Sequence, residues 1–158
     1  MTFLLVDRFP MFSLASAADT MRTANETFGR EFYKWTTVSV DGEPVMASNG
    51  MKLNVDCSLK NQPRPDILFV CAGTAIDFPE KPAVLSALRQ WGRLGWTLGA
   101  LTLGSHVLAE AGQLAGHRCT IHWQNRAGFR ETFPDIECTS NVYEIDRNRY
   151  TSAGGTTS

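Results

Sequence analysis

The chain has 158 residues, 43% of them apolar, and a formal charge of −1 at pH 7. That length suits one domain with one sizeable core, and the apolar share is too high for a disordered chain. The near-zero charge leaves no electrostatic footprint for nucleic acid, and no apolar run approaches the ~20 residues of a membrane span.

Read in order, Thr2 to Val6 is a continuous apolar run, the pattern of a parallel strand buried on both faces. After Asp7-Arg8-Phe9-Pro10, the residues Leu14, Ala17, Ala18, Met21 and Ala24 repeat at helical spacing. They predict an amphipathic helix capped by Ser13 and ending near Phe28-Gly29. Phe32 to Val40 is aromatic and β-branched and predicts a second strand. Val45-Met46 and Met51 to Val55 form a hairpin about Ser48-Asn49-Gly50. Lys60 to Pro65 is a loop, and Asp66 to Ala72 is a buried strand ended by Gly73-Thr74.

The spacing of Val84, Leu85, Leu88 and Trp91 predicts a helix over 83–94, closed by Gly95. Next comes WTLGALTLGSHVLAEAG, Trp96 to Gly112, about which the chain is organised. Its apolar first half is a strand, Thr102-Leu103-Gly104 is a tight turn, and Val107, Leu108 and Ala111 open a helix at Ser105. A strand passing through a sharp glycine-containing turn into a helix has the geometry of a nucleophile elbow. Beyond it, Arg118 to Ile121 reads as a short strand, followed by His122-Trp123 and a polar helix to about Thr132. Ile136 to Cys138, Val142 to Ile145 and Arg149 to Ala153 read as further strands. Alternating strands and helices of this kind imply an α/β sandwich with a mostly parallel sheet. Sites in such sheets lie beyond the carboxyl ends of the strands. The loops at 7–13, 73–77, 102–105, 122–123 and 154–156 should therefore converge on one crevice.

Met1 to Val6 is too short for a signal-peptide core and runs straight into Asp7, so the chain reads as cytoplasmic. The last residues, YTSAGGTTS, are a strand followed by the capping residues that begin a helix. They predict that residues 1–158 are a domain cut from a longer protein.

Among candidate chemical groups, Thr102 would occupy the elbow apex as a nucleophile, a ligand-contacting hydroxyl or a locally bonded turn residue. His122 follows a strand, where it is either a base facing the crevice or a histidine satisfied by backbone. His106 is expected to be packed or exposed, and His117 to face solvent. Three histidines without HxH or HxxxH spacing predict no metal, and no cofactor motif is present. Asp7 follows the first strand, where a carboxylate can accept loop amides, whereas Asp19 lies on a solvated helix face. Cys57, Cys71, Cys119 and Cys138 lack metal-type spacing. They read as buried reduced thiols, with one reactive thiol as the alternative.

The segment ALTLGSHVLAEAGQLAGHRCTIHW resembles the elbow-to-histidine stretch of the PfpI-like branch of the class I glutamine-amidotransferase-like superfamily. The phrases VLAEAG, TIHW, SNG followed by PRPDILFV, and TSAGGT resemble the form at the N-terminus of GlxA-type, AraC-family transcriptional regulators. The resemblance runs over essentially the whole chain. It implies a flavodoxin-like three-layer sandwich that senses a small metabolite or mediates dimerisation, with DNA bound through a C-terminal pair of helix-turn-helix motifs outside these residues.

Catalytic members of the superfamily carry a cysteine at the elbow apex, and many carry an acid in the first strand-end loop. This chain has Thr102 and Met11-Phe12-Ser13 there. A threonine hydroxyl is far less acidic than a thiol, and His122 alone is a poor means of activating it. The expected function is thus a non-enzymatic ligand-sensing and dimerisation domain, a homodimer that takes a small polar metabolite such as an amine or amino-acid derivative. The residues expected to surround that ligand are Phe9, Ser13, Gly73, Thr74, Thr102, Leu103, His122 and Trp123. The alternatives are a PfpI-like hydrolase or isomerase with an atypical elbow residue, using Thr102 with His122 or a thiol such as Cys71 or Cys119, and a pure oligomerisation domain.

Overall fold

The computed structural model describes residues 1–73 and 76–155. Seven strands form the main sheet: β1 (Thr2–Leu5), β2 (Thr36–Ser39), β5 (Cys57–Ser58), β6 (Leu68–Ala72), β7 (Leu98–Thr102), β8 (Tyr143–Asp146) and β9 (Arg149–Ser152). Their order is β5-β2-β1-β6-β7-β9-β8. Every pairing is parallel except that of β8 with β9. A separate hairpin pairs β3 (Val45–Met46) with β4 (Lys52–Leu53).

The continuous apolar strands are buried on both faces, as their composition requires. Leu4, Leu68, Val70, Ala72, Leu98 and Ala100 point into one core, while Phe3, Leu5, Cys71 and Leu101 alternate into the other. Burying each of the Leu, Val and Phe side chains among them is worth about 1.5–3 kcal/mol. The first core is roofed by α2 (Lys81–Arg93) and α3 (Gly104–Glu110), which contribute Val84, Leu88, Val107 and Leu108, with Phe129 from α4 (Arg126–Thr132). The second is covered by α1 (Met11–Phe28) through Leu14 and Met21. Helix α1 stops where Gly29 takes φ 63°, a left-handed cap whose N–H reaches the carbonyls of Asn25 and Glu26.

Several elements differ from the sequence expectation, each for a local reason. The second strand is four residues, not nine. The amides of Phe32 and Tyr33 donate instead to the Asn25 side chain, at 2.8 and 2.9 Å. Helix α1 begins at Met11 with Pro10 in the cap position, so Ser13 lies inside its first turn. Helix α2 begins two residues early because Pro82, in the first turn, gives up an N–H that has no helical partner there. The segments 118–121 and 136–138 meet only in a single parallel bridge between Cys119 and Cys138. Side chains take the place of a ladder beyond it: Thr120 N–H donates to Thr151 Oγ1 and Thr120 Oγ1 to the Asn141 carbonyl. The short strand β5 was not foreseen.

His106 is packed, as expected. Its ring lies edge-on to Phe133 at 5.1 Å and to Phe129 at 6.2 Å. Burial holds its pKa below the ordinary imidazole value. The charge of Lys81 acts in the same direction, against the carboxylates of Glu110 and Asp77. Because the folded value is depressed, the stabilising contribution is intact above the unfolded pKa of ~6.5 and is lost as pH falls through the folded value. Urea midpoints of His106→Gln should therefore change less than those of the wild type between about pH 7 and pH 5. Equal changes would show that the imidazole is not held neutral. His117, expected at the solvent face, is instead tied to the turn between β8 and β9, with Nδ1 3.3 Å from the Asp146 carbonyl and 3.1 Å from Arg147 Nη2.

Candidate functional site

Because the central strands are parallel, β1, β6, β7 and β9 all deliver their carboxyl ends to one edge. At the end of β7, Thr102 has φ 60°, a left-handed conformation that a β-branched residue adopts only under strain. Leu103 N–H then donates to the Ala72 carbonyl at 3.0 Å, and α3 starts at Gly104. This is the elbow. Glycine is required at its exit, because a Cβ on Gly104 would sit 2.1 Å from the Val70 carbonyl oxygen. Arg8, just past β1, is also at positive φ (62°), and Gly73 is pressed so closely against it that a Cβ there would lie 2.0 Å from the Arg8 carbonyl oxygen.

The apex hydroxyl is engaged in a structural network. Thr102 Oγ1 shares a hydrogen bond with Ser13 Oγ at 3.0 Å. Ser13, buried in the first turn of α1, accepts from Gly155 N–H at 2.9 Å. Gly154 closes against the same hydroxyl, where a Cβ would come within 2.3 Å of Thr102 Oγ1. The ends of β7 and β9 and the first turn of α1 are thus stitched together by two hydroxyls and one amide. Among the described residues no hydrogen bond joins Thr102 to His122. Ser105, expected where the helix opens, is fully buried and donates its hydroxyl to the Thr120 carbonyl at 2.7 Å.

The groove at this edge lies on the far side of Gly154-Gly155 from Thr102. Its volume is about 490 Å³, and its walls are Phe12, His122-Trp123, Arg126, Ser140 to Val142 and Ala153 to Gly155. Trp123 and Phe12 are 67% and 61% exposed, so two aromatic faces flank the opening. The His122 ring tilts against Trp123, with centroids 5.8 Å apart. Arg126 supplies the charge, and its Nε is buried without a hydrogen-bond partner among the described residues. A buried guanidinium N–H left unpaired is costly, and a carboxylate oxygen is its natural acceptor.

Of the residues expected to surround a ligand, His122 and Trp123 reach this groove. Ser13 and Thr102 stand one layer behind it. Phe9 is fully buried under α1 and Leu103 is buried among the α2 and α3 side chains, so neither presents its side chain to the crevice. Gly73 packs on the Arg8 backbone, and Thr74 lies outside the described residues, as does Thr156 of the last loop. Phe12, Arg126, Ser140, Asn141 and Val142 were missed; an exposed aromatic beside the α1 start was the one readable hint.

A second concavity of about 230 Å³ lies at the carboxyl ends of β1 and β2, where Asp7, Asp41, Glu43, Glu80 and Lys52 face Phe78 and Pro44. The Glu43 amide, 3.0 Å from its carboxylate, holds the Asp41 pKa below the usual range. Among the described residues, no group of three or more His, Cys, Asp or Glu side chains could hold a metal ion. No described helix is long and apolar enough to cross a membrane.

Residues 3–158 match the DJ-1/PfpI family. The chain belongs to that family. This DJ-1/PfpI domain is 42% identical over 154 residues to the HTH-type transcriptional regulator GbdR of Pseudomonas aeruginosa, covering 98% of this chain and 42% of GbdR. It is 35% identical over 156 residues to the HTH-type transcriptional regulator GlxA of Rhizobium meliloti, covering 97% of this chain and 48% of GlxA. The crystal structure of an AraC family transcriptional regulator from Pseudomonas putida aligns with a TM-score of 0.85 at 29% identity, over 99% of this chain and 84% of that one. The resemblance first carried by the elbow segment, VLAEAG and TSAGGT is thus a family relationship, and the mostly parallel sheet is the fold it implied. The chain spans less than half the length of these two curated regulators.

Proposed function

We propose that this DJ-1/PfpI domain is the metabolite-sensing and dimerisation part of an AraC-family transcriptional regulator of the cytoplasm, and that it works without catalysis. The ligand we assign is a small polar metabolite carrying a carboxylate, of the amino-acid-derivative class. Its carboxylate would be taken by Arg126, and the rest of the molecule would lie between Phe12 and Trp123, beside His122. The observation that carries this reading is the buried Nε of Arg126, a groove-lining residue, which has no hydrogen-bond partner among the described residues. The non-enzymatic part rests on Thr102, whose hydroxyl is bonded to Ser13 rather than to a base. In the longer protein, DNA would be bound through helix-turn-helix motifs beyond Ser158. Differential affinity of the metabolite for two placements of that module would supply the switching energy.

Calorimetry against a panel of amino acids, amino-acid derivatives and amine metabolites tests the reading. A carboxylate-bearing member should bind, and Arg126→Met should weaken it by about 10–100-fold, the worth of one charge-assisted hydrogen bond. Trp123→Ala should weaken it less. Binding that survives Arg126→Met unchanged would move the ligand elsewhere, and no binder at all would leave oligomerisation alone. Sedimentation should give a dimer; a monomer at micromolar concentration would remove dimerisation from the reading.

A further inference from the structure

Two of the four cysteines are side by side in space. Cys119 and Cys138 are partners in a parallel bridge, with Cys119 N–H donating to the Glu137 carbonyl at 3.0 Å and Thr139 N–H donating to the Cys119 carbonyl at 2.9 Å. This pattern centres each residue on the other, so both side chains leave the bridge on the same side. Neighbouring strands lie about 4.8 Å apart, inside the ~4.4–6.8 Å Cα separation that a disulfide spans. Each thiol shifts the titration of the other, and Cys138 Sγ lies 3.8 Å from the Thr139 carbonyl.

We infer that Cys119 and Cys138 form a peroxide-oxidisable dithiol that closes to an intrachain disulfide between the two segments that lead to the groove. Cys138 is the attacking thiol. The adjoining Cys119 thiol lowers its pKa, and so do the charges of Arg130 and Arg126, against the opposing effect of burial. Arg130 is fixed in place by donating Nε and Nη2 to the Cys138 carbonyl. Cys119, held protonated by the adjoining Cys138, by burial and by the charge of Glu144, is the resolving thiol. The Cys138 thiolate attacks a peroxide oxygen, the O–O bond breaks, and the leaving oxygen takes up a proton as water or alcohol. The sulfenic acid left on Cys138 is then attacked by the Cys119 sulfur. An S–S bond forms, the S–O bond breaks, and the departing hydroxide carries off the Cys119 proton as water. Two thiols lose two electrons and the peroxide gains them.

The consequence is geometric. From the bridge, the two segments run in the same direction to the groove, reaching His122 three residues beyond Cys119 and Asn141 three residues beyond Cys138. A disulfide would pin these walls together, whatever the groove binds. Cys71 offers the contrast, since it is fully buried in the other core and its pKa is raised by that burial alone.

Hydrogen peroxide treatment of the whole chain, followed by alkylation and trypsin, reads the outcome directly. Trypsin releases Cys119 on the peptide 119–126 and Cys138 on the peptide 131–147. These should appear cross-linked, lighter by two hydrogen atoms than the sum of the pair, and separate again with dithiothreitol. The link should form at least about tenfold faster than Cys71 is oxidised. In Cys119→Ser, dimedone should trap a sulfenic acid on Cys138. If Cys119→Ser does not fold, the wild-type map decides alone. Unlinked peptides after treatment, a Cys138 sulfinic acid in place of the link, or links through Cys57 would each overturn the inference.

Discussion

Gly104→Ala is expected to destabilise the domain by about 3 kcal/mol or more, at the top of the range for overpacking a core. The added Cβ would lie 2.1 Å from the Val70 carbonyl oxygen, 3.0 Å from its carbon and 3.2 Å from Ala100 Cβ. Two of these three obstacles are backbone atoms of β6, which is hydrogen-bonded to β1 on one side and β7 on the other. Neither can rotate away. Relief therefore requires α3 to rise by more than an ångström, which opens the Val107 and Leu108 packing and displaces the Thr102 turn. For a domain of this length the loss corresponds to roughly a 10 °C fall in Tm. Gly128→Ala is the control, because Gly128 lies within α4 with nothing near its Cβ position. Helix propensity alone should make that variant more stable by up to about 1 kcal/mol. Equal urea midpoints for the two alanine variants would mean that helix and strand do not approach as closely as described.

The same close approach explains why the elbow was legible in the sequence. A strand, a three-residue turn and a helix can follow one another that tightly only with a residue lacking Cβ at the exit, and LTLGSH records that constraint. The two-sided burial of TFLL and LFVCA was legible because no polar residue interrupts them. The groove was not. Phe12, Arg126 and the 140–142 stretch are far apart along the chain and meet only through the position of β9 and one bridge. The Nε of Arg126 has no signature in sequence, since its distinguishing property is the lack of an acceptor among the described residues. His117 escaped for a related reason: its partners Asp146 and Arg147 are about thirty residues away, whereas its neighbours Gly116 and Arg118 suggested solvent. Leu103 and Phe9 were placed at the crevice because their backbones are there. Chain position did not reveal that their side chains turn inward to the two cores.

Arg149→Met is expected to cost about 3–5 kcal/mol and to leave the groove's chemistry unaltered. Arg149 opens β9 opposite Leu98 and is 6% exposed. It is surrounded by carbonyls: Nε donates to Gln113 O at 2.7 Å, Nη1 to Trp96 O at 3.2 Å and Asn148 O at 3.0 Å, and Nη2 to Gln113 Oε1 at 3.1 Å. One guanidinium thus holds the start of β9, the entry to β7 and the turn after α3. Burial depresses its pKa, with a smaller contribution from Arg147, yet an arginine remains charged across the working pH range. Methionine keeps the apolar stem and removes every donor, so the Gln113 carbonyl loses its partner inside the protein. Arg149→Lys restores a charge but only a point donor, and it should recover less than half of the loss. The effect should be confined to stability. Arg149 lies at the amino end of β9, whereas Gly154 and Gly155 meet Ser13 and Thr102 beyond its carboxyl end. Below its lowered Tm the variant should bind the metabolite that calorimetry identifies with wild-type affinity. A fall in affinity at temperatures where the variant is fully folded would mean that strand register, and not local groove chemistry, controls the site.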